Sequence, residues 1–148
     1  MRCYEMKSST DDEFDRIGEK MKLDTYGLFV KDLTVMVPFY CENLGFTTEW
    51  DGNPDHADLF DKVTGFRLML SHRKFIEELL GKETDELDLN MRMEQAFLVG
   101  SHAEVDEKFA AFKLAGIKII SEPVTYPWGQ RAFYFADPEG NLSEIFAE

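Results

Sequence analysis

Cysteine and histidine are scarce in this chain, with two of the first and three of the second among 148 residues. Cys3 and Cys41 have no CxxC spacing, which leaves neither a disulfide framework nor a cysteine zinc site, and both read as reduced thiols. Long apolar runs are missing too. The longest, Leu33 to Tyr40, is interrupted by Thr34 and falls far short of the ~20 residues that a membrane-spanning helix needs. Basic side chains are outnumbered, sixteen against twenty-nine acidic, and the net charge of -13 repels phosphate backbones and anionic lipid surfaces. Neither nucleic acid nor membrane is therefore an expected partner. The first residues carry no apolar h-region before a cleavage site, so the expected compartment is the cytoplasm. The length suits one domain, large enough to bury roughly two thirds of the surface its unfolded chain would expose.

What is present is a short acidic extension followed by one pattern written twice. Residues 1–21 are polar, with Phe14 and Ile17 three apart behind Asp11 and Asp12, a spacing that predicts a short appended helix. A single domain is expected over 22–148. Its first half (about 23–81) opens with an alternating strand, Leu23 to Val30, that puts Tyr26, Leu28 and Val30 on one face. A helix from Thr34 to Leu44 follows, striped by Met36, Phe39, Tyr40 and Leu44, with Gly45 where a left-handed cap belongs. Pro38 conflicts with a helix interior, so the start of this helix is fixed only to within a few residues. The second half (about 91–148) repeats the order: strand Met93 to Val99, a Ser101/Glu104 capping box, the stripe Val105, Phe109 and Phe112, then Gly116.

Short strands follow each glycine: Thr47 to Asp51, Ala57 to Val63 and Phe66 to Leu70, then Lys118 to Ser121, Arg131 to Ala136 and Leu142 to Phe146. A helix from His72 to Leu80, burying Phe75, Ile76, Leu79 and Leu80, and an acidic linker over 82–90 are expected between the halves. The fold class is α+β, built as two βαβββ modules.

The blocks Pro127-Trp128-Gly129-Gln130-Arg131, Asp137-Pro138-Glu139-Gly140-Asn141 and Leu142-Ser143-Glu144-Ile145 resemble the vicinal oxygen chelate superfamily, as do Lys31-Asp32-Leu33, Phe39-Tyr40 and Leu44-Gly45-Phe46. That superfamily includes glyoxalase I, bleomycin-resistance proteins, extradiol dioxygenases and fosfomycin-resistance enzymes. The resemblance covers Leu23 to Ala147. It implies a curled mixed β-sheet cleft in each module and a homodimer whose clefts the partner chain completes. It also implies a metal held by the first and fourth strands of each module, with Glu144 as one ligand.

Three of the four ligand positions depart from that pattern. Strand alternation turns Thr25, Gly27 and Phe29 toward the cleft, so Thr25 stands where the family has His. Glu94 replaces a second His, and the fourth-strand position of the first half falls at Leu68 or Met69, neither of which suits a hard divalent ion. His56 in a turn, His72 after a strand and His102 at a helix start are read as lying outside the site.

The leading expectation is a small-molecule-binding protein with no resident cofactor, taking an aromatic or cationic ligand. Its ligand-binding residues are expected to be Thr25, Phe29, Trp50, Met69, Glu94, Trp128, Arg131 and Glu144. Trp128, in its Pro-Trp-Gly turn, is the favoured aromatic contact, and Arg131 is expected to pair with a carboxylate. The alternative is a lyase, isomerase or dioxygenase that uses Zn, Ni, Mn or Fe on Glu144, with Glu144 and Glu94 as the catalytic carboxylates. A further alternative is a regulatory or partner-binding domain that makes its contacts through the acidic extension and linker.

Overall fold

The computed structural model describes residues 23–81, 83 and 89–148. The expected N-terminal helix and most of the acidic linker lie outside the described residues. Strand β1 (Thr25–Val30) leads into helix α1 (Leu33–Asn43), then β2 (Phe46–Thr47), β3 (His56–Asp61), β4 (Arg67–His72) and helix α2 (Lys74–Leu80). The second module runs β5 (Asn90–Leu98), α3 (His102–Leu114), β6 (Lys118–Ile119), β7 (Val124–Thr125), β8 (Arg131–Ala136) and β9 (Asn141–Ala147).

Each module folds its strands into one mixed sheet. The first has the order β1-β4-β3-β2 and the second β5-β9-β8-β6, with β7 also paired to β8. In both, the opening strand lies parallel to the last, and the remaining pairs are antiparallel. Strands β6 and β7 pair with opposite ends of β8 and so divide the work of one strand. Pro123, which has no N–H to give a ladder, lies between them.

Capping chemistry fixes the helices. Asp32 ends the extended chain before α1, and its Oδ1 accepts from Thr34 N at 2.9 Å. Pro38 stands inside α1 rather than in its first turn. Thr34, whose carbonyl would have accepted the missing bond, is exposed to water, which limits the cost. At α3 the Ser101 hydroxyl accepts from Glu104 N at 3.2 Å, while the Glu104 carboxylate reaches one residue further back, to Gly100 N at 2.7 Å. The end of α3 is a Schellman motif. Ile117 N donates to Phe112 O, Gly116 N donates to Lys113 O, and Gly116 has φ of 74°.

Helix α2 differs from the expectation on two counts. Residues 71 and 72 belong to β4, so the helix starts at Lys74, and Phe75 and Leu79 are exposed rather than buried. The expected strand Thr47 to Asp51 also shrinks to Phe46–Thr47.

The helix-facing sides of both sheets share one core. Val30, Met36, Tyr40, Leu59, Leu70, Val105, Phe133 and Phe135 are all fully buried within it. Aromatic contacts carry this core across the module boundary: Tyr40 meets Phe46 edge-on at 5.7 Å, Phe46 meets Phe97 edge-on at 6.3 Å, and Phe97 meets Phe135 at a tilt at 6.5 Å.

A polar clasp joins the modules alongside it. Lys31 N and Asp32 N donate to the two oxygens of Glu139 at 2.6 and 3.0 Å, and the buried Tyr40 hydroxyl donates to Asp137 Oδ2 at 2.7 Å. The Asp137-Pro138-Glu139-Gly140-Asn141 turn therefore anchors α1 of the opposite module.

Candidate functional site

With the helix side of each sheet filled, the other face is the open one. In the first module Val30, Leu59, Leu68 and Leu70 point into the core, so Thr25, Gly27, Phe29, His56, Asp58, Phe60, Arg67, Met69 and Ser71 lie on the open face. Register settles the choice between Leu68 and Met69. Gly27 and Asp58 are the Cα partners of Met69, while Leu68 is 2% exposed and belongs to the core.

The second module repeats the arrangement. Ala96 and Tyr134 are the partners of Glu144, so Met69, Asp58 and Gly27 correspond to Glu144, Tyr134 and Ala96. Glu94 and Leu98 share that face, and Leu98 is well exposed.

A groove of about 660 Å³ opens on the first module. Its lining includes Glu49, Trp50 and Asp51 from the loop after β2, and His56, Asp58 and Phe60 from β3. Side chain to backbone bonds hold the loop. Thr48 Oγ1 donates to Asp58 O at 2.7 Å, Asn53 N to Asp51 Oδ1 at 3.0 Å, and Asp55 N to Asn53 Oδ1 at 2.9 Å. Trp50 itself is tethered by its indole N–H, which donates to Asn53 O at 2.7 Å. The groove thus presents two aromatic rings and three carboxylates, shared between β3 and a loop already ordered by local bonds.

Around the rim of this groove, His56 Nε2 is 3.3 Å from Asp58 Oδ1, and His56 Nδ1 is 3.4 Å from Ser71 Oγ. Arg67 lies 3.7 Å from Asp58 and 2.7 Å from Asp24. Asp58 Oδ1 has the His56 imidazole and the Arg67 guanidinium nearby, yet among the described residues it makes no hydrogen bond, and it is shielded from solvent. Contacts at 3.3 to 3.7 Å without hydrogen-bond alignment leave this acceptor largely unsatisfied.

In the second module Glu144 is 7% exposed, and the Tyr134 hydroxyl is its hydrogen-bond partner. That bond, then burial, then the charges of Glu144 and Glu94, push the Tyr134 hydroxyl well above its ordinary range and keep it protonated. Glu94 and Glu144 thus both act on Tyr134. Trp128 is 71% exposed and lies flat on Tyr126, with centroids 4.6 Å apart. The turn that carries it closes through Gly129 N to Tyr126 O and Tyr126 N to Gln130 O, with Gly129 at φ 97°.

Arg131 is placed elsewhere. It shares strand parity with Phe133 and Phe135 on the helix side, where its Nε and Nη2 donate to Asp106 Oδ1 at 3.0 and 2.8 Å and its Nη1 donates to Thr125. The structure brings Thr25, Phe29 and Met69 to the open face of one sheet and Glu94 and Glu144 to that of the other, with Trp50 in the groove. It does not bring Arg131 to either. Sequence reasoning passed over Asp58 and Tyr134 as site residues and placed His56 in a turn. Apolar Ala57 and Leu59 on either side of Asp58, and Phe133 and Phe135 around Tyr134, carried the signal that would have found them.

The donor set does not fit the divalent metal that such a fold implies. Thr25 Oγ1 donates to Arg67 O at 2.7 Å. The Met69 methyl sits where a Cβ on Gly27 would lie only 3.0 Å away, so an apolar group fills the first module's position. Glu94 and Glu144 remain, fewer than the three protein ligands usual for a catalytic zinc. Among the described residues, no three His, Cys, Asp or Glu side chains are placed to hold an ion.

Residues 22–145 match the model of the Glyoxalase/Bleomycin resistance protein/Dioxygenase superfamily, and the chain belongs to that family. The uncharacterised protein YraH of Bacillus subtilis (strain 168) is 30% identical over 128 residues, covering 85% of this chain and 98% of YraH. A glyoxalase/bleomycin resistance protein/dioxygenase from Nocardioides is similar in structure, with a TM-score of 0.70 and 27% identity over 94% of this chain and 93% of that one. A lactoylglutathione lyase from Agrobacterium tumefaciens shares the fold, with a TM-score of 0.63 and 20% identity over 85% of this chain and 92% of that one.

Proposed function

We propose that this protein binds a small aromatic molecule in the groove between the Glu49–Asp51 loop and β3, without a catalytic metal. The observation that carries the reading is the groove itself, with Trp50 and Phe60 as rings and Trp50 fixed by its own N–H. A ring already held in place loses little entropy when a ligand stacks on it. Stacking and ring contacts of this kind contribute on the order of 1 kcal/mol each beyond burial. Among the described residues the groove's lining carries three carboxylates, Glu49, Asp51 and Asp58, and no Lys or Arg, which disfavours anions.

The open face supports a homodimer as the working form. Phe29 and Leu98 are half or more exposed there, and a second copy that completed the cleft would cover them. Light scattering after size exclusion should give twice the 17.1 kDa of one chain; a monomer mass at micromolar protein removes this part of the proposal.

The binding reading is tested by calorimetric titration of a neutral naphthalene derivative into wild type and Trp50→Ala. Binding that weakens at least fivefold in the variant supports the groove, whereas equal affinity for the two proteins refutes it. Dialysis against Mn²⁺, Ni²⁺ or Zn²⁺ followed by elemental analysis tests the metal-independent part. Near-stoichiometric retention that disappears in Glu144→Gln would overturn it in favour of a metal-dependent lyase, isomerase or dioxygenase.

A further inference from the structure

We propose that Asp58 selects what the groove binds, and that the ligand is an aromatic amine whose positive nitrogen carries N–H donors. This rests on the groove being the binding site, as proposed above. Asp58 lies on β3 between His56 and Phe60 on the same face, and all three line the groove. Its carbonyl accepts the Thr48 hydroxyl, which ties the groove's loop to the strand at this residue.

The carboxylate is held but incompletely satisfied. The His56 imidazole and the Arg67 guanidinium both approach Oδ1, at 3.3 Å and 3.7 Å, and neither makes a hydrogen bond to it. Arg67 gives its close contact to Asp24 instead, at 2.7 Å, which draws the guanidinium away from Asp58. Oδ1 is shielded from solvent, so a ligand that reaches this carboxylate meets it at Oδ2. Glu49 and Asp51 stand on the facing loop and add to the negative potential.

A carboxylate of this kind gains most from a donor that is also charged, since charge-assisted hydrogen bonds are roughly twice as strong as neutral ones. Trp50 and Phe60 flank the same space, so an aryl group one or two bonds from an ammonium nitrogen can stack while the nitrogen reaches Asp58. A quaternary ammonium retains the charge and the ring attraction but has no N–H to donate. An alcohol retains a donor without charge, and a carboxylate meets three like charges.

The test is isothermal titration calorimetry of the full chain with four probes on one ring: 2-naphthylmethylammonium, its N,N,N-trimethyl analogue, 2-naphthalenemethanol and 2-naphthoate. Wild type should bind the primary ammonium about tenfold more tightly than the alcohol, with the trimethyl form between them and naphthoate weakest. In Asp58→Asn the preference for ammonium over alcohol should fall below threefold. In Trp50→Ala all probes that bind should weaken together while their order is kept.

An ammonium-to-alcohol ratio near one in wild type overturns the proposal and leaves the groove reading standing. So does a ratio that survives Asp58→Asn. If none of the four probes binds wild type, the groove reading fails and this inference fails with it. The wild-type ratio needs no variant, so a destabilised Asp58→Asn protein does not protect the proposal.

Discussion

Replacing Tyr40 with Phe removes one oxygen from the clasp between the modules. Tyr40 is fully buried, and its hydroxyl donates at 2.7 Å to Asp137 Oδ2, itself 3% exposed. Asp137 keeps three other donors: Asn141 Nδ2 on Oδ2, and Glu139 N and Asn141 N on Oδ1. The variant therefore loses one charge-assisted bond, worth about 1.5–3 kcal/mol, and leaves the carboxylate only partly unsatisfied. The lower half of that range applies because Asn141 Nδ2 still engages the same oxygen, so the expected loss is about 2 kcal/mol. At this chain length that corresponds to a fall in Tm of roughly 4–8 °C. Urea unfolding followed by circular dichroism, with the slope unchanged, measures it. A loss below 0.5 kcal/mol would show that the turn satisfies Asp137 without help from α1, and the clasp would not be a stabilising feature.

Three further predictions follow from the same contacts. Burial and the charge of Asp137 hold the Tyr40 hydroxyl well above its ordinary value of 10, and the bond to Glu144 does the same for Tyr134. Above pH 10 the unfolded chain therefore binds fewer protons at these sites than the native one. Stability is full below that pH and declines as pH rises beyond it, by about 1.4 kcal/mol per pH unit for each tyrosine; alkaline urea titrations of Tyr134→Phe should show a shallower decline, and an unchanged slope refutes the assignment. Arg131→Met breaks the pair with Asp106 on the helix side and should cost stability without changing the affinity of any groove ligand, as calorimetry would show; a tenfold loss of affinity would place Arg131 in the site. Ser101→Ala removes the cap on α3 and should cost about 1 kcal/mol by chemical unfolding, with no measurable loss meaning that Glu104 alone secures the helix start.

Periodicity made the skeleton of both modules legible. Leu28 and Val30 face the core as alternation required, and Gly45 and Gly116 both have φ of 74° after their helices. Local side-chain bonding obscured the rest. Thr48, Asp51 and Asn53 bond to backbone groups and turn an expected strand into the groove's ordered loop. Pro123 divides one strand into two pieces of two residues each, too short to leave a period. Arg131, expected both among the ligand contacts and in a pair with a carboxylate, is spent on Asp106, and Glu139 on the backbone of Lys31 and Asp32. Such partners lie far away in sequence, and no spacing rule points to them. The candidate site was half visible: Trp50, Glu94 and Glu144 stood out by type, whereas Asp58 and Tyr134 needed the register of the sheets.

Metal-independent binding of an aromatic ligand in the groove around Trp50 is tested by a two-dimensional ¹H–¹⁵N NMR titration of the metal-free protein with 2-naphthylmethylammonium. Saturable shifts of the Trp50 indole N–H and of the amides of Asp51, Asp58 and Phe60 are expected, with the Trp128 indole unmoved and no change on adding Zn²⁺. Shifts centred on Glu94, Tyr134 and Glu144, or binding that appears only once Zn²⁺ is added, would contradict it.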